Sequence, residues 1–432
     1  MDSVRQHSVF RYFDLADSFV EIQLADPKSL QMPGKPSLDK AGYRRLVIST
    51  CMPEFRDDVA TAVEALFPED PLMVEDILYR LCIEINPGLS IHEVRLETSF
   101  ECEARLQEEA DHRAQVEALR FRLAKTLPGL ENRLQAAVLG QPEATHAAAR
   151  VLARAAVGLA PEGRPLASLL FTGRTGTGKT ELARVLAAEC MGKNNLVRID
   201  CSEFALSHEY SKLIGAPPGF VGHDDGGQLT DVLRKNPASI VLFDEVEKAH
   251  PKLHNLMLQI LEEGALTDGK GRPVSFESAV VIMTSNVGAD EVRRSSHAVG
   301  FGSRAGVEHT AMREITNKAL GNTFSPEFLG RLDETILFAD LDLEIVQSIA
   351  SGQLADLKAL AARRGIELSF TPAVARFVGA RAYNPATGAR EVRRIIRREV
   401  EPFLVEELCR NSVQENPSLR LGVKNGRLRL LS

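Results

Sequence analysis

The stretch GRTGTGKT, residues 173–180, decides the fold of this chain. The apolar run at 166–171 before it predicts a buried strand, and residues 181–190 after it are good helix formers. Gly173, Gly176 and Gly178 allow a tight turn whose backbone N–H groups point into one concavity at the start of that helix. Strand, glycine-rich loop and helix in this order predict a phosphate-binding loop rather than an ordinary loop rich in glycine.

The side chains of the loop suit a nucleotide that binds with Mg²⁺. Lys179 is expected to reach the β- and γ-phosphates, and the hydroxyl of Thr180 is expected to bind Mg²⁺. The loop residues that we expect to contact the nucleotide are Gly173, Thr175, Gly176, Thr177, Gly178, Lys179, Thr180 and Glu181.

Three further segments carry candidate catalytic groups. The run SIVLFDE, 239–245, ends an apolar strand with Asp244, expected to help hold Mg²⁺, and Glu245, expected to activate the attacking water as a general base. Asn286 ends the next strand in MTSN and could position that water, or could be a turn residue. Arg331 and Arg390 could neutralise phosphate charge, one of them from a neighbouring subunit, or could be surface arginines.

The rest of the chain divides by pattern. Strand candidates at 166–171, 196–200, 239–243, 279–284 and 335–338 alternate with helices, so residues 135–340 predict a parallel sheet with helices on both faces. Residues 341–432 are mostly helical and end in a hairpin at Asn425–Gly426. Residues 1–95 predict a small α/β domain with strands at 19–24 and 45–50. Residues 96–134 predict a helical linker, exposed over 97–126, that serves as a spacer or as a partner-binding coil.

Composition narrows the class of protein. Of the 432 residues, 44% are apolar and 26% are charged, which is ordinary for a soluble protein, and no run approaches a membrane span. The charged N-terminus argues against a signal peptide, and six scattered cysteines without a CxxC pair argue for a reducing cytoplasm. Residues 1–130 hold 23 acidic and 15 basic side chains and the remainder is nearly neutral, so no nucleic-acid partner is expected.

Taken together, these residues resemble the AAA+ unfoldases of the Clp/Hsp100 family, in particular their second ATPase module. The similarity runs from about residue 137 to the C-terminus. The segments that carry it are LLFTGRTGTGKTELARVLA, LIGAPPGFVG, VLFDEVEKAHP, LEEGALTDGKGRPVSF, VIMTSNVGA, FSPEFLGRLDE and YNPATGAR. The resemblance implies a P-loop AAA+ fold with a C-terminal helical lid, ATP and Mg²⁺ as cofactors, protein substrates, and a ring that is normally a hexamer.

The resemblance also implies a role for each remaining candidate. Asn286 matches the sensor-1 position, Arg331 the arginine finger that reaches a neighbour's site, and Arg390 sensor 2. The segment that packs on adenine matches Val138 and Leu139. The aromatic pore loop that grips polypeptide matches Phe220 and Val221, with Phe220 where the family usually has Tyr, and a second pore loop matches 267–276. A loop that docks onto a ClpP-like peptidase matches Val299, Gly300 and Phe301, although it could be a plain surface loop.

The chain also departs from that family. It has one ATPase module where similar proteins have two, and residues 1–130 resemble neither the family's N-terminal domain nor its middle domain. We expect the N-terminal domain to bind cargo or an adaptor. The sequence thus predicts a cytoplasmic, ATP-driven unfoldase or translocase that feeds a ClpP-like peptidase. A chaperone or disaggregase without a peptidase, and an ATP-dependent switch on DNA or another complex, are the alternatives.

Overall fold

The computed structural model describes residues 8–13, 19–24, 43–50, 91–161, 163–192, 195–206, 209–215, 226–289, 291–292, 305–384, 388–410 and 418–431. The chain divides into two compact units, Met1–Gln115 and Val116–Ser432. No helix within these described ranges is both long and apolar enough to cross a membrane.

The first unit contains a four-stranded antiparallel sheet in the order β1-β2-β3-β4. Its strands are β1 (Ser8–Phe13), β2 (Phe19–Leu24), β3 (Tyr43–Thr50) and β4 (Ile91–Thr98). Sequence reasoning predicted β2 and β3 but missed β1 and β4. In β4 the polar residues His92, Glu93, Arg95 and Glu97 dilute the apolar pattern that marks a strand. Residues 51–90 of the predicted α/β domain lie outside the described residues.

A five-stranded parallel sheet forms the centre of the second unit, in the order β11-β5-β10-β7-β6. Its strands are β5 (Ala167–Thr172), β6 (Leu196–Asp200), β7 (Ile240–Asp244), β10 (Val280–Ser285) and β11 (Glu334–Leu337), each within one residue of its predicted bounds. Residues of β5, β7 and β10 are buried throughout, because helices cover both faces of a parallel sheet. A small hairpin, β8 (Ala265–Thr267) and β9 (Pro273–Ser275), stands apart from it.

Helices surround this sheet and precede it. They are α1 (Ser99–Thr126), α2 (Leu130–Ala137), α3 (Pro142–Ala156), α4 (Lys179–Leu186, continued by a π turn over Ala187–Met191), α5 (Ser211–Ile214), α6 (Thr230–Lys235), α7 (Pro251–Glu263), α8 (Ala305–Thr323) and α9 (Pro326–Gly330).

The expectation that the helix over 97–126 is exposed is wrong for its last part. Val116, Leu119 and Leu123 of α1 are buried, since their spacing places them on one face of the helix. Leu119 and Leu123 pack in the same core as Leu130 and Leu134 of α2. This end of α1 is therefore part of the second unit rather than a free spacer.

The C-terminal region, which we call the lid, has its own core and its own sheet. It contains α10 (Leu343–Ala362), β12 (Glu367–Phe370), α11 (Pro372–Ala382), α12 (Arg390–Ile395), α13 (Glu401–Arg410), β13 (Ser418–Lys424) and β14 (Arg427–Leu431). Strands β13 and β14 form the predicted hairpin, and its turn residues Asn425 and Gly426 both have positive φ, 51° and 70°. Val378, Val392 and Leu421 lie at the centre of the lid core.

Candidate active site

The glycine-rich loop lies between β5 and α4, as predicted. Gly173, Gly176 and Gly178 have φ of 139°, 80° and 109°, which residues with a side chain rarely adopt. A Cβ at Gly173 would lie 2.8 Å from the carbonyl oxygen of Phe338, so only glycine fits there. The loop thus keeps an open cradle at the N-terminus of α4, which fits the phosphate groups of a nucleotide.

Lys179 is held inside this loop. Its side chain is 7% exposed, and its Nζ donates to the carbonyl oxygens of Gly173 and Arg174 and, over 2.9 Å, to Oδ1 of Asn286. Burial lowers the pKa of Lys179 to about 8, although the carboxylates of Glu247 and Asp244 act in the opposite direction. An anion bound at the loop would favour the charged ammonium group.

The pair predicted to hold Mg²⁺ is assembled at the edge of the sheet. The hydroxyl of Thr180 lies 3.5 Å from both carboxylate oxygens of Asp244. A hydroxyl and a carboxylate are the hard oxygen ligands that Mg²⁺ prefers, so these two residues fit the ion.

Two residues that sequence reasoning missed orient Asp244. Thr284, at the end of β10, donates its hydroxyl proton to Oδ1 of Asp244. Arg198, in β6, donates from Nε to Oδ2 over 3.1 Å. Thr284 lies inside the MTSN segment that the sequence singled out for Asn286, and a hydroxyl at the end of a buried strand was the available signal. Arg198 gave none, because its side chain is half exposed on an edge strand.

Glu245 follows Asp244 in an unusual backbone conformation. Its φ is 60°, in the left-handed region that non-glycine residues seldom occupy, and its N–H donates to the hydroxyl of Thr284 over 3.1 Å. Its carboxylate forms an ion pair with Lys248, which raises the pKa of Lys248. A strained backbone at a carboxylate that lines the cleft is typical of a functional residue.

Asn286 joins the loop to the strand ends. Its side-chain oxygen accepts from Lys179, and from the hydroxyl of Thr175 over 3.3 Å. Its backbone N–H and its side-chain amide donate to one oxygen of Glu247, at 3.1 and 3.3 Å. Glu247 is a further residue that sequence reasoning missed. Its carboxylate holds Asn286 in place through these two hydrogen bonds. Its negative charge also acts to raise the pKa of Lys179.

These groups line a single cleft of ≈ 1120 Å³ that the lid closes on one side. Apolar side chains form part of its wall, including the predicted Val138 and Leu139, Leu341 just before the lid, and Ile349 of α10. Polar groups form the rest of the wall; among them are Glu181, Arg198 and Arg390, the first residue of α12. The cleft therefore offers apolar walls for a base beside a cradle for phosphates.

Arg331 lies elsewhere. It directly follows α9 and pairs with Glu262 over 2.7 Å, and it is not among the described residues that line the cleft. The structure brings together the other predicted catalytic residues and leaves this one apart. Phe220, Val221, Val299, Gly300 and Phe301 lie outside the described residues.

The second glycine-rich segment, 267–276, is the β8–β9 hairpin. Asp268 is 6% exposed and organises its turn. Burial by itself would raise the pKa of Asp268. Hydrogen bonds from the N–H of Arg272 and from the guanidinium groups of Arg234 and Arg272 outweigh that effect, so the pKa lies well below the usual range of a carboxyl group.

Comparisons with known proteins agree with this arrangement. A family model described as "AAA domain (Cdc48 subfamily)" matches residues 164–335, and one described as "C-terminal, D2-small domain, of ClpB protein" matches residues 341–421. The chaperone protein ClpB of Oceanobacillus iheyensis is 42% identical over 301 residues, which are 69% of this chain and 37% of that protein. The chloroplastic chaperone protein ClpC1 of Arabidopsis thaliana is 42% identical over 298 residues, 68% of this chain and 32% of that protein.

A solved structure is also similar. The closed state of Hsp104 with ATPγS and FITC casein, from cryo-electron microscopy, superimposes with a TM-score of 0.63 at 31% identity. The match covers 71% of this chain and 52% of the Hsp104 chain. The chain therefore spans about a third of the length of the curated relatives and about half of the Hsp104 chain.

Proposed function

Because this chain belongs to the Clp/Hsp100 family through that family's second ATPase module, we propose that it hydrolyses ATP to unfold polypeptides and to translocate them through a ring. One observation carries the proposal. Lys179, Thr180, Asp244, Glu245 and Asn286 converge on the cleft that the lid closes with Arg390.

The first step is the binding of ATP in this cleft. The cradle N–H groups and Lys179 bind the phosphates, and Val138 and Leu139 pack on the base. Thr180 and Asp244 hold Mg²⁺, which when bound neutralises charge on the phosphates. To reach a phosphate, Lys179 gives up its bonds to the carbonyl groups of Gly173 and Arg174.

Hydrolysis then uses the strand ends. Glu245 accepts a proton from the attacking water once its carboxylate leaves Lys248. Asn286 positions that water and Arg390 stabilises the developing charge from the lid side. Arg331 serves the site of a neighbouring subunit, which agrees with its distance from its own cleft and requires a ring, normally a hexamer.

The mechanical part of the proposal rests on loops. Phe220 and Val221 would grip the polypeptide in the pore, the hairpin of Asp268 would line the pore below them, and residues 1–95 would bind cargo or an adaptor. The Hsp104 structure was determined with FITC casein, a protein, which supports a polypeptide as cargo. We further propose that Val299, Gly300 and Phe301 dock onto a ClpP-like peptidase. The rival is a chaperone that works without a peptidase; the ClpB relative is named a chaperone protein.

The test compares wild-type protein with Glu245→Gln. The variant is expected to bind ATP, to form rings and to retain a tagged unfolded protein, while its ATP turnover falls by about a hundredfold or more. Appreciable turnover would contradict the role of Glu245. Wild-type protein that hydrolyses ATP but fails to thread the tagged protein, and instead retains duplex DNA, would favour the switch on DNA. Peptidase binding that survives deletion of 297–303 would contradict the docking loop.

A further inference from the structure

Three consecutive residues between the sheet and the lid are linked to the phosphate loop, two of them directly and one through Gln141. We call residues 338–342, which join β11 to α10, the connecting segment. Its first residue, Phe338, packs against Gly173, where the closest approach leaves no room for a side chain. Its next two residues, Ala339 and Asp340, are bound to the loop region by side chains, as described below.

Gln141 binds Ala339 and the loop at the same time. Its side chain is 2% exposed, and its Nε2 donates to the carbonyl oxygen of Thr177 over 3.1 Å and to that of Ala339 over 2.9 Å. Its Oε1 accepts from the N–H of Ala339 over 2.9 Å. Both ends of this one buried amide are satisfied, so Gln141 links the phosphate loop to the connecting segment.

Arg174 binds Asp340. The guanidinium of Arg174 is largely buried, at 12% exposure, and its Nη1 lies 3.2 Å from Oδ2 of Asp340, which is 59% exposed. The carbonyl oxygen of the same Arg174 accepts from Nζ of Lys179 over 2.8 Å. If Lys179 moves toward a phosphate, the carbonyl group of Arg174 loses this hydrogen bond. The residue that pairs with Asp340 is then held less firmly.

The lid is attached to the loop at a second point. The N–H of Ala389, just before Arg390, donates to the carbonyl oxygen of Gly176 over 3.1 Å. A Cβ at Gly388 would lie 2.7 Å from that same oxygen. The loop therefore contacts the lid directly, beside Arg390, and also contacts the connecting segment that leads into the lid.

We propose that Gln141 and the Arg174–Asp340 ion pair form a clasp, through which a nucleotide at the phosphate loop sets the position of the lid. The inference rests on the proposed nucleotide site and names two positioning residues for it, Gln141 and Arg174. Neither needs to touch the reacting atoms. Their effect is on the angle at which Arg390 enters the cleft.

The first experiment compares Gln141→Met with Gln135→Met in the full-length protein. Gln135 is the matched control, because its amide donates only along its own helix, to Glu131 over 3.1 Å. The Gln141→Met variant removes the partner of three backbone groups, the buried carbonyl oxygen of Thr177 and the partly buried N–H and carbonyl oxygen of Ala339. We therefore expect the Kd for ADP, measured by calorimetry, to rise about tenfold. We expect Gln135→Met to bind ADP like wild-type protein.

Hydrogen exchange of residues 336–346 shows whether Gln141 couples the nucleotide to the connecting segment or only stabilises the phosphate loop. In wild-type protein, ADP is expected to increase protection of this segment, and in Gln141→Met this response is expected to vanish. Wild-type affinity in Gln141→Met overturns the inference, and so does a weakened affinity with an intact exchange response. Wild-type protein that binds no ADP overturns the proposed function itself.

A second pair of variants keeps the inference testable if Gln141→Met fails to fold. Asp340→Asn and Arg174→Met are each expected to weaken ADP binding about threefold, and the double variant is expected to be no weaker than Arg174→Met alone. Arg150→Met is the control, since Arg150 pairs with Glu334 over 2.9 Å away from the cleft. Strictly additive effects, or no effect of Asp340→Asn, overturn the role of the ion pair.

Discussion

Thr284 provides the sharpest test of the proposed catalytic geometry, because replacement by valine removes one hydroxyl group and keeps the shape. Thr284 is 1% exposed, donates to Asp244 and accepts from the N–H of Glu245. The variant Thr284→Val therefore removes a donor from the proposed Mg²⁺ ligand and leaves the N–H of the proposed base unpaired. That N–H also fixes the left-handed backbone of Glu245.

The size of the effect follows from these two hydrogen bonds. An unpaired buried donor costs about 1–3 kcal/mol. If that cost falls on the transition state, kcat for ATP falls between about fivefold and about 150-fold. The concentration of Mg²⁺ needed for half-maximal activity should rise as well, because Asp244 keeps Arg198 but loses the hydroxyl that orients it. Steady-state ATPase assays over a Mg²⁺ series measure both quantities.

Thr316 offers a matched control. Its hydroxyl is buried without a hydrogen-bond partner in the described part of the chain, and it lies on α8 rather than in the cleft. Thr316→Val should leave kcat unchanged and should not lower the melting temperature. The reasoning would be refuted by a Thr284→Val enzyme with wild-type kcat and wild-type Mg²⁺ dependence. An equal loss of kcat in Thr316→Val would instead show that replacing any buried threonine by valine lowers the activity.

Two further predictions concern Arg331, the proposed finger, and Asp268 in the β8–β9 hairpin. The variants Arg331→Ala and Glu245→Gln should each be nearly inactive alone, but a 1:1 mixture of the two should regain ATPase activity. The reason is that about a quarter of the interfaces in mixed rings combine an intact Glu245 with an intact Arg331. Mixed rings without recovered activity would show that Arg331 does not act on a neighbour. Asp268→Asn should lower stability at pH 7 by about 1–3 kcal/mol, because two arginines lose their buried partner. The pKa of Asp268 is depressed in the folded protein, so its contribution is complete above the unfolded pKa near 4 and is lost as the pH falls through the lower folded pKa. The difference in melting temperature between wild-type protein and the variant should thus be constant from pH 7 to 5 and shrink only in stronger acid, whereas a difference that grew in acid would contradict the assignment.

The sequence predicted the central sheet well for a physical reason. Strands buried on both faces must be apolar along their whole length, so each appears as a continuous run that ends where the polar edge begins. The same rule placed Asp244 and Asn286 beside the phosphate loop, because the carboxyl ends of parallel strands meet at one edge. It did not place Arg331, whose distance from the cleft depends on how α9 packs.

The contacts that tune the site could not be derived in this way. Thr284 reaches Asp244 only because β10 pairs with β7 in the register that sets Met283 beside Phe243. Gln141 reaches Ala339 across 198 positions of sequence, and no local pattern encodes that distance. Strand existence is a local property of the sequence, whereas register and long-range amide contacts follow from the packing of the whole unit.

Strand β5 connects the two ends of the proposed mechanism. Its C-terminal end leads into the phosphate loop, and near its other end Ser168 donates from its N–H and its hydroxyl to the carboxylate of Asp333, over 2.7 and 2.9 Å. The N–H of Asp333 in turn donates to the carbonyl oxygen of Ser168 over 3.0 Å. Arg331, the proposed finger, stands two residues before Asp333. A strand of six residues spans roughly 20 Å and does not stretch, so a shift of the phosphate loop along β5 displaces the finger as well. In a ring, the state of one site would then reach the next through this strand, in addition to the lid.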